Sequence, residues 1–206
     1  MKLYDRLRAP NPRRVRWVMA EKGVEDIEIV EVDLPAGAHK TPEYLLEVGA
    51  PNVPALVLDD GTAITESVAI GRYLESLHPE PNLYGRDATE IALIEMWTRR
   101  VELGLAMPLM MAVRLGDPRL AFLEKNQSPE TAAWNTAAAL RAINAFDRQL
   151  ERSEFIAGSR ITIADICAFT GLDFARMIKF EPPANRPHFL RWATAMRERP
   201  AAKAGM

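Results

Sequence analysis

Apolar and polar residues follow two different spacings along this chain, and the change between them divides the sequence into two parts. In the first part, short runs at Lys2–Tyr4, Ile27–Val32 and Ala55–Leu58 have the length and composition of buried strands. Segments with helical spacing separate them, and the first, Arg13–Lys22, is followed by Gly23, a residue typical of helix ends. In the second part only helical spacing remains. The pattern predicts an α/β domain with the order β-α-β-α-β-β-α, followed by an all-α domain.

The second part contains four predicted helices. They cover Asp87–Leu115, Ser128–Arg152, Thr162–Lys179 and Pro187–Glu198. Pro108 lies inside the first of these helices and is expected to kink it. The stretch Pro79-Glu80-Pro81-Asn82 ends the last helix of the first part. We therefore predict domains at residues 1–80 and 88–206, joined by a linker at 81–87.

The stretch Asn52–Ile70 carries the most specific local pattern. Asp60-Gly61 predicts a tight hairpin turn, and Ala63–Thr65 predicts the returning strand. Glu66-Ser67 then stands where that strand passes into an amphipathic helix. A helix that begins with a hydroxyl group and free backbone N–H groups can hold a carboxylate, and an adjacent glutamate can hold an ammonium group. The stretch therefore suggests a receptor for the zwitterionic end of an amino acid.

Composition and charge exclude several classes of function. A net charge of −2 gives no reason to expect nucleic acid as a partner, and the basic run Arg13–Arg16 is interpreted as a solvated helix face. No apolar run is long enough to span a membrane, and a strand at the very start leaves no room for a signal peptide, so we expect a cytoplasmic protein. Cys167 is the only cysteine, which excludes an intrachain disulfide and favours a buried structural thiol. His39, His78 and His188 lack metal-ligand spacing, so no metal is expected.

Four motifs carry a resemblance to a known family. They are V-P-A-L at 53–56, D-D-G at 59–61, E-S-V-A-I at 66–70 and G-S-R-I-T-I-A-D at 158–165. In the last motif, Thr162 and Asp165 have the spacing of a helix capping box. Their order and separation resemble the glutathione S-transferase superfamily, in particular its bacterial-type cytosolic members. The resemblance implies a thioredoxin-like N-terminal domain, a helical C-terminal domain, a homodimer and a role in detoxification.

The resemblance also implies where glutathione binds. The matching positions are Val53, the cis-proline Pro54, Glu66, Ser67, and His39 or Lys40. Val53 would pair through its backbone with the cysteinyl part, Glu66 and Ser67 would bind the γ-glutamyl amine and carboxylate, and His39 or Lys40 would pair with the glycyl carboxylate. Taken alone, the Glu66-Ser67 pair is more simply interpreted as a first-turn acid and a helix cap, and Lys40 as a solvated lysine; the neighbouring motifs reverse the first interpretation.

The position of the catalytic residue departs from the family pattern. Members stabilise the glutathione thiolate with a serine or tyrosine hydroxyl, and lowering a thiol pKa from about 8.5 to about 6.5 takes roughly 2.7 kcal/mol. Here the loop R-L-R-A-P-N-P-R-R at 6–14 contains no Ser, Cys or Tyr, and Ala9 falls at the serine position. Asn11 is the nearest side-chain donor and is predicted to stabilise the thiolate. Two other interpretations stay open, a turn role for Asn11 and a more distant hydroxyl from Tyr4.

On the acceptor side, the resemblance implies an electrophile site lined by the long helices of the second domain. The candidate residues are Met107, Met110, Met111, Arg114 and Phe174. Flexible methionines suit varied apolar compounds, although at least one of the three is expected to be a core residue. The predicted function is conjugation of glutathione to small apolar electrophiles. The alternatives are glutathione-dependent disulfide or peroxide reduction without an enzyme cysteine, and a non-catalytic glutathione-binding module.

Overall fold

The computed structural model describes all residues, Met1–Met206. The chain divides into two compact units. Unit 1 comprises Met1–Pro81 together with Lys203–Met206, and unit 2 comprises Asn82–Ala202. The last four residues therefore belong to the same unit as the first eighty-one.

Unit 1 is built on a mixed four-stranded sheet. Its elements are β1 (Lys2–Asp5), α1 (Pro10–Lys22), β2 (Glu28–Glu31), a 3-10 turn (Ala38–Lys40), α2 (Pro42–Val48), β3 (Ala55–Val57), β4 (Ala63–Thr65) and α3 (Ser67–Leu77). The strand order is β2-β1-β3-β4, with β1 parallel to β2 and antiparallel to β3, and β3 antiparallel to β4. This confirms the predicted order β-α-β-α-β-β-α.

The core of unit 1 lies where the sheet and its helices bury their apolar side chains. Leu3 and Leu56 are paired on neighbouring strands and fully buried, as are Trp17 on α1 and Leu74 on α3. Such burial, at about 25 cal/mol per Å² of apolar surface, is what holds short strands of this kind in place. The sequence also marks helix ends correctly, since Gly23 takes the left-handed conformation after α1 with φ 65°.

A buried ammonium group fastens the end of α3 to α1. The Lys22 side chain is fully buried, and its Nζ lies 2.6 Å from Glu75 Oε2. The same Nζ donates to the carbonyl oxygens of His78, at 2.7 Å, and Pro81, at 2.9 Å. One cation thus satisfies a buried carboxylate and two main-chain acceptors that follow α3, and so fixes the course of the chain there.

The last residues of the chain pack on the start of α1. The Arg8 N–H donates to the carbonyl oxygen of Gly205 at 2.9 Å. Gly205 has φ +72°, and a Cβ placed on it would lie 3.4 Å from atoms of Arg13 and Arg16. A side chain at this position would therefore be strained by its backbone and tightly packed against α1.

Unit 2 is helical throughout. Its helices are α4 (Ala88–Val101), α5 (Met107–Gly116), α6 (Pro129–Leu150), α7 (Ile163–Phe174) and α8 (Pro187–Glu198), with a π-helical segment at Glu102–Ala106 and 3-10 turns at Pro118–Leu120 and Ala175–Ile178. A last 3-10 turn, Pro200–Lys203, begins in unit 2 and ends on the first of the four C-terminal residues of unit 1. α7 is buried on all sides and forms the centre of the unit. No helix in the protein combines the length and the apolar character required to cross a lipid bilayer.

The predicted capping box at the start of α7 is confirmed. Asp165 accepts from the Thr162 N–H at 2.9 Å, and the Thr162 side chain accepts in return from the backbone of Asp165. Asp165 is fully buried and also accepts from the N–H of Ile156 at 2.8 Å and from Trp192 Nε1 at 2.9 Å. This carboxylate therefore joins α7, α8 and the loop that precedes them.

The predicted helix at 87–115 is interrupted before Pro108, not at it. The interruption is the π-helical segment Glu102–Ala106. Pro108 has no N–H to donate to the carbonyl four residues earlier, and a π turn accommodates the displaced carbonyls. The π-helical segment also packs closely against α7 at Gly171. A Cβ at position 171 would lie only 2.9 Å from Ala106 Cα. Glycine at 171 allows α7 to approach it.

Candidate active site

The first turn of α1 leaves one main-chain donor open. Ala9 occupies the N-cap position, with φ −70° and ψ 136°, and no side chain caps the helix. Pro10 and Pro12 have no N–H, and the Arg13 N–H donates to the Ala9 carbonyl at 3.0 Å. The N–H of Asn11 is therefore the only free donor at the positive end of the α1 dipole.

The side chain of Asn11 lies at the same point. It is half-buried, and its Oδ1 is buried without a hydrogen-bond partner. A buried amide oxygen without a partner costs about 1–3 kcal/mol, so the interpretation of Asn11 as a simple turn residue leaves this cost unexplained. The amide NH2 can donate to an anion that binds here. The structure thus places one main-chain and one side-chain donor of residue 11 together.

The start of α3 combines a strained backbone with a buried hydroxyl. Glu66 is the N-cap residue, is exposed and has φ +67°, a conformation that costs a non-glycine residue about 1–3 kcal/mol. Ser67 is the first residue of the helix and is buried. Its Oγ accepts from Arg14 NH1 at 3.4 Å. The interpretation of Ser67 as the helix cap is wrong, because Glu66 takes that position.

The main chain before β3 is open to a ligand. The Val53–Pro54 peptide bond is cis, as the resemblance implied. No protein group bonds with the main-chain N–H or C=O of Val53. Because Val53 directly precedes the strand, these two groups can pair with an extended peptide in the manner of an added strand.

His39 and Lys40 lie in the 3-10 turn before α2 and differ in exposure. Lys40 is exposed, whereas His39 is 5% exposed and its Nδ1 is buried without a partner. Burial, aided by the neighbouring charge of Lys40, lowers the pKa of His39. At neutral pH His39 is therefore uncharged and can serve a ligand as an N–H donor, while Lys40 offers a full positive charge.

The interpretation of Arg13–Arg16 as a solvated face is wrong. Arg13 and Arg14 are only 6% and 7% exposed. Their aliphatic stems pack into unit 1, and the Arg13 guanidinium lies 6.0 Å from the Trp17 ring centroid. Arg16 pairs with the buried Asp5, with its Nε 3.3 Å from Oδ2. The run thus places positive charge beside the α1 and α3 termini, a contribution that the sequence pattern did not reveal.

Tyr4 is occupied elsewhere. Its hydroxyl donates to Glu47 Oε2 at 2.7 Å. Burial, together with this hydrogen bond, raises the pKa of Tyr4 to about 12. A phenol held by a carboxylate in this way is a poor donor for a second anion. The alternative that Tyr4 stabilises a thiolate is therefore disfavoured.

The five candidate acceptor residues lie in unit 2. Met107, Met110, Met111 and Arg114 share one face of α5, and Phe174 lies at the end of α7, which packs against α5. Met107 is 48% exposed and the other two methionines are partly exposed. The expectation that at least one of them is a core residue is therefore wrong. Cys167 is fully buried in α7, as expected of a structural thiol.

Comparisons with known proteins cover nearly the whole chain. Residues 9–77 match the family model described as "Glutathione S-transferase, N-terminal domain", and residues 109–200 match "Glutathione S-transferase, C-terminal domain". Glutathione S-transferase 2 of Saccharomyces cerevisiae is 34% identical over 98% of this chain and 88% of its own length. Among solved structures, Gtt2 from Saccharomyces cerevisiae has a TM-score of 0.93 and 34% identity over the whole of both chains. A glutathione S-transferase domain-containing protein of Marinobacter aquaeolei has a TM-score of 0.92 and 36% identity over 98% of this chain and 99% of its own.

Proposed function

Because the chain belongs to the glutathione S-transferase family of enzymes, we propose that it binds glutathione in unit 1 and transfers the glutathione thiolate to a small apolar electrophile. The observation that carries the proposal is the set of unpaired polar groups in unit 1. They belong to Asn11 at the start of α1, Val53 before β3 and His39 before α2. The free N–H of Asn11, the N–H and C=O of Val53 and an N–H on His39 Nδ1 can each be paired by a bound peptide, whereas the buried Asn11 Oδ1 is an acceptor that a thiolate does not satisfy.

Each part of glutathione has a matching group. The γ-glutamyl carboxylate would bind at the N-terminus of α3, beside Ser67 and the buried guanidinium of Arg14. The exposed carboxylate of Glu66 would pair with the γ-glutamyl ammonium group. The cysteinyl main chain would pair with Val53, and the glycyl carboxylate would bind His39 as a neutral donor or Lys40 as a cation.

Asn11 would stabilise the thiolate. Two hydrogen bonds to a charged sulfur, one from its N–H and one from its amide, would each contribute about 1.5 kcal/mol, close to the roughly 2.7 kcal/mol needed for a thiol pKa near 6.5. The amide cannot accept the proton, so the thiol proton would pass to solvent on binding. The thiolate would then form the S–C bond, and the leaving group would depart with the electron pair of the bond that breaks.

The thiolate pKa tests this role directly. We expect the absorbance of bound glutathione near 240 nm to show a pKa of about 6.5 in the wild type and an increase of about one unit in Asn11→Ala, which keeps the N–H but loses the amide. Asn135→Ala, on the surface of α6, is the matched control. An unchanged thiolate pKa in Asn11→Ala would remove Asn11 from the mechanism.

Binding measurements test the glutathione site separately. Ser67→Ala should weaken glutathione binding by about 1–3 kcal/mol in a calorimetric titration. Unchanged affinity would show that Ser67 does not hold the carboxylate. If glutathione binds normally but no electrophile reacts, the non-catalytic binding module replaces the transferase. Reaction with disulfides or peroxides alone would favour the reductase, in which bound glutathione carries the chemistry because Cys167 is inaccessible.

We also propose a homodimer that forms through the apolar face of α4 and the π-helical segment. Leu93 is 47% exposed and Leu103 is 72% exposed, and the Arg100 guanidinium lies 4.7 Å from the Trp97 ring centroid. Exposed leucines beside an Arg–Trp pair resemble the centre of a protein interface. Sedimentation velocity should show a dimer, and Leu103→Glu should shift it to a monomer. A wild-type monomer would contradict this proposal.

We further propose that the protein is cytoplasmic and acts in detoxification. We also propose that its activity requires no metal. Cell fractionation tests the location, and turnover in the presence of a chelator tests the independence from metal. Loss of activity on chelation would overturn the last point.

A further inference from the structure

The segment of unit 1 that leads into β3 is held by a single hydrogen bond. No main-chain group of residues 50–53 bonds with another main-chain group. The one bond is made by the Asn52 carbonyl oxygen, which accepts from the Tyr44 hydroxyl at 2.5 Å. The next residue, Val53, carries the N–H and C=O that the proposed function assigns to the cysteinyl part of glutathione. Tyr44, on α2, therefore supplies the one hydrogen bond that orients this segment.

Tyr44 is itself fixed by packing. It is 7% exposed, and its ring meets that of Tyr4 edge to face, with the centroids 5.2 Å apart. Burial raises the pKa of Tyr44 to about 12, so its hydroxyl remains a donor at neutral pH. The Val53 side chain packs against the same core cluster, whose buried members are Val32, Tyr44, Val48, Ala55 and Val57. A fixed ring with a permanent donor can hold the Asn52 carbonyl in one orientation.

The helix that carries Tyr44 also begins beside the second proposed peptide contact. Thr41 caps α2 by accepting from the Tyr44 N–H at 3.3 Å, and its hydroxyl donates to the Ala38 carbonyl at 3.4 Å. Ala38 begins the 3-10 turn that contains His39 and Lys40. Tyr44 is thus joined through its main chain to the turn proposed for the glycyl carboxylate, and through its side chain to the segment proposed for the cysteinyl part.

Resting on the proposed function, we infer that Tyr44 is a positioning residue for the main chain that pairs with the cysteinyl part of glutathione. It acts through the Asn52 carbonyl, which sets the orientation of Val53 for pairing with an extended peptide. Without the hydroxyl, that carbonyl can turn to water and residues 50–53 gain conformational freedom. Glutathione must then restrict this freedom when it binds, and the ordering lowers its affinity.

A matched pair of unreactive ligands isolates the contact with Val53. S-Methylglutathione has no free thiol. In its depsipeptide analogue an ester oxygen replaces the cysteinyl N–H, so the donor for the Val53 carbonyl is lost. Both ligands keep the same charges and the same γ-glutamyl and glycyl ends. A difference between their Kd values, measured by calorimetric titration, therefore reports the pairing with Val53.

The test variant is Tyr44→Phe, which keeps the ring in the core and removes only the hydroxyl. We expect it to raise Kd for S-methylglutathione about fivefold to tenfold. Kd for the depsipeptide should rise about twofold or less, because this ligand has already lost a bond that depends on the orientation of Val53. Tyr73→Phe makes the same change in a half-buried tyrosine of α3 and is the control, with both Kd values within about twofold of the wild type.

The order of the segment in the free protein is a second measurement, and it needs no ligand. The 15N–1H nuclear Overhauser effects of Ala50, Asn52 and Val53 should fall in Tyr44→Phe, while those of α1 stay unchanged. Replacing Tyr44 with 4-aminophenylalanine returns a donor to the ring, and should restore both these values and the difference between the two ligands.

The outcomes separate this inference from the proposed function. If the wild type binds neither ligand, glutathione binding fails as a proposal, whereas the relaxation data still decide whether Tyr44 orders the segment. If the wild type binds both and Tyr44→Phe weakens them equally, or weakens neither, Tyr44 does not act through Val53 and the inference is wrong. Unchanged order of residues 50–53 in Tyr44→Phe would overturn it as well. Should Tyr44→Phe fail to fold, the 4-aminophenylalanine variant decides, because a ligand difference below that of the Tyr73→Phe control would contradict the role of the donor.

Discussion

The buried Lys22 provides the sharpest stability prediction. Its Nζ is fully buried and bonds with Glu75 and with the carbonyls of His78 and Pro81, at 2.6–2.9 Å. Lys22→Met keeps the length of the side chain and removes the charge. Glu75 then loses this buried cation, and two carbonyls lose a donor. Breaking a buried ion pair from one side costs about 3–5 kcal/mol, against a total of about 5–15 kcal/mol for a typical domain.

Urea unfolding measured by circular dichroism is the assay. We expect the midpoint to fall while the slope with urea stays unchanged, because the surface exposed on unfolding is the same. Lys2→Met is the control, since Lys2 is about half exposed and its Nζ is 3.8 Å from Glu47, so its loss should change the free energy of unfolding by about 0.5 kcal/mol or less. The double variant Lys22→Met/Glu75→Leu should recover much of the loss, because it removes both charges of the buried pair. A single variant within about 1 kcal/mol of the wild type, or a double variant less stable than Lys22→Met, would refute the reasoning.

Three further changes probe other contacts. Tyr4→Phe removes the hydrogen bond to Glu47, so the free energy of unfolding in urea should fall by about 1 kcal/mol. The pKa of the bound glutathione thiol should stay unchanged, and a shift in it would show that Tyr4 does contact the thiolate. Because burial lowers the pKa of His39, the unfolded chain binds a proton below pH of about 6.5 where the folded chain does not. The free energy that the neutral His39 contributes to folding is therefore complete above that pH and is lost as the pH falls. His39→Asn should flatten the curve of melting temperature against pH between 7 and 5. An unaltered curve would contradict this. Asp165→Asn presents an NH2 group to donors such as Trp192 Nε1, so thermal unfolding should show a loss of about 2–4 kcal/mol, and a variant as stable as the wild type would show that the capping box is dispensable.

Local sequence signals predicted most of the fold because the interactions that they describe are local. The capping box at Thr162 and Asp165, for example, closes over only three residues. The π-helical segment could not be predicted in this way. Helical spacing does not distinguish an α turn from a π turn, and the segment's close contact with Gly171, sixty-five positions after Ala106, is not visible in the local sequence.

The residues of the candidate site also fall into those that local patterns predicted and those that depend on distant contacts. The local pattern predicted a strand after Val53 and a helix starting at Ser67, which the structure contains, while the roles of both residues stay predictions that come from the resemblance. The burial of Arg14 could not be foreseen, since an arginine in a basic run is counted as solvated until its partner, fifty-three residues away, is known. Tyr4 was similarly ambiguous until the structure showed its hydroxyl on Glu47. Charged and hydroxylated side chains need tertiary information before a role can be assigned to them.

The two prolines that flank position 11 determine how much a substitution at that position can change the start of α1. Pro10 and Pro12 leave a single main-chain donor at residue 11, and that donor belongs to the backbone, not to a side chain. Any residue except proline at position 11 retains it. Replacement of the asparagine during evolution would therefore weaken such a site by degrees, whereas an enzyme that depends on one hydroxyl loses its donor in a single step.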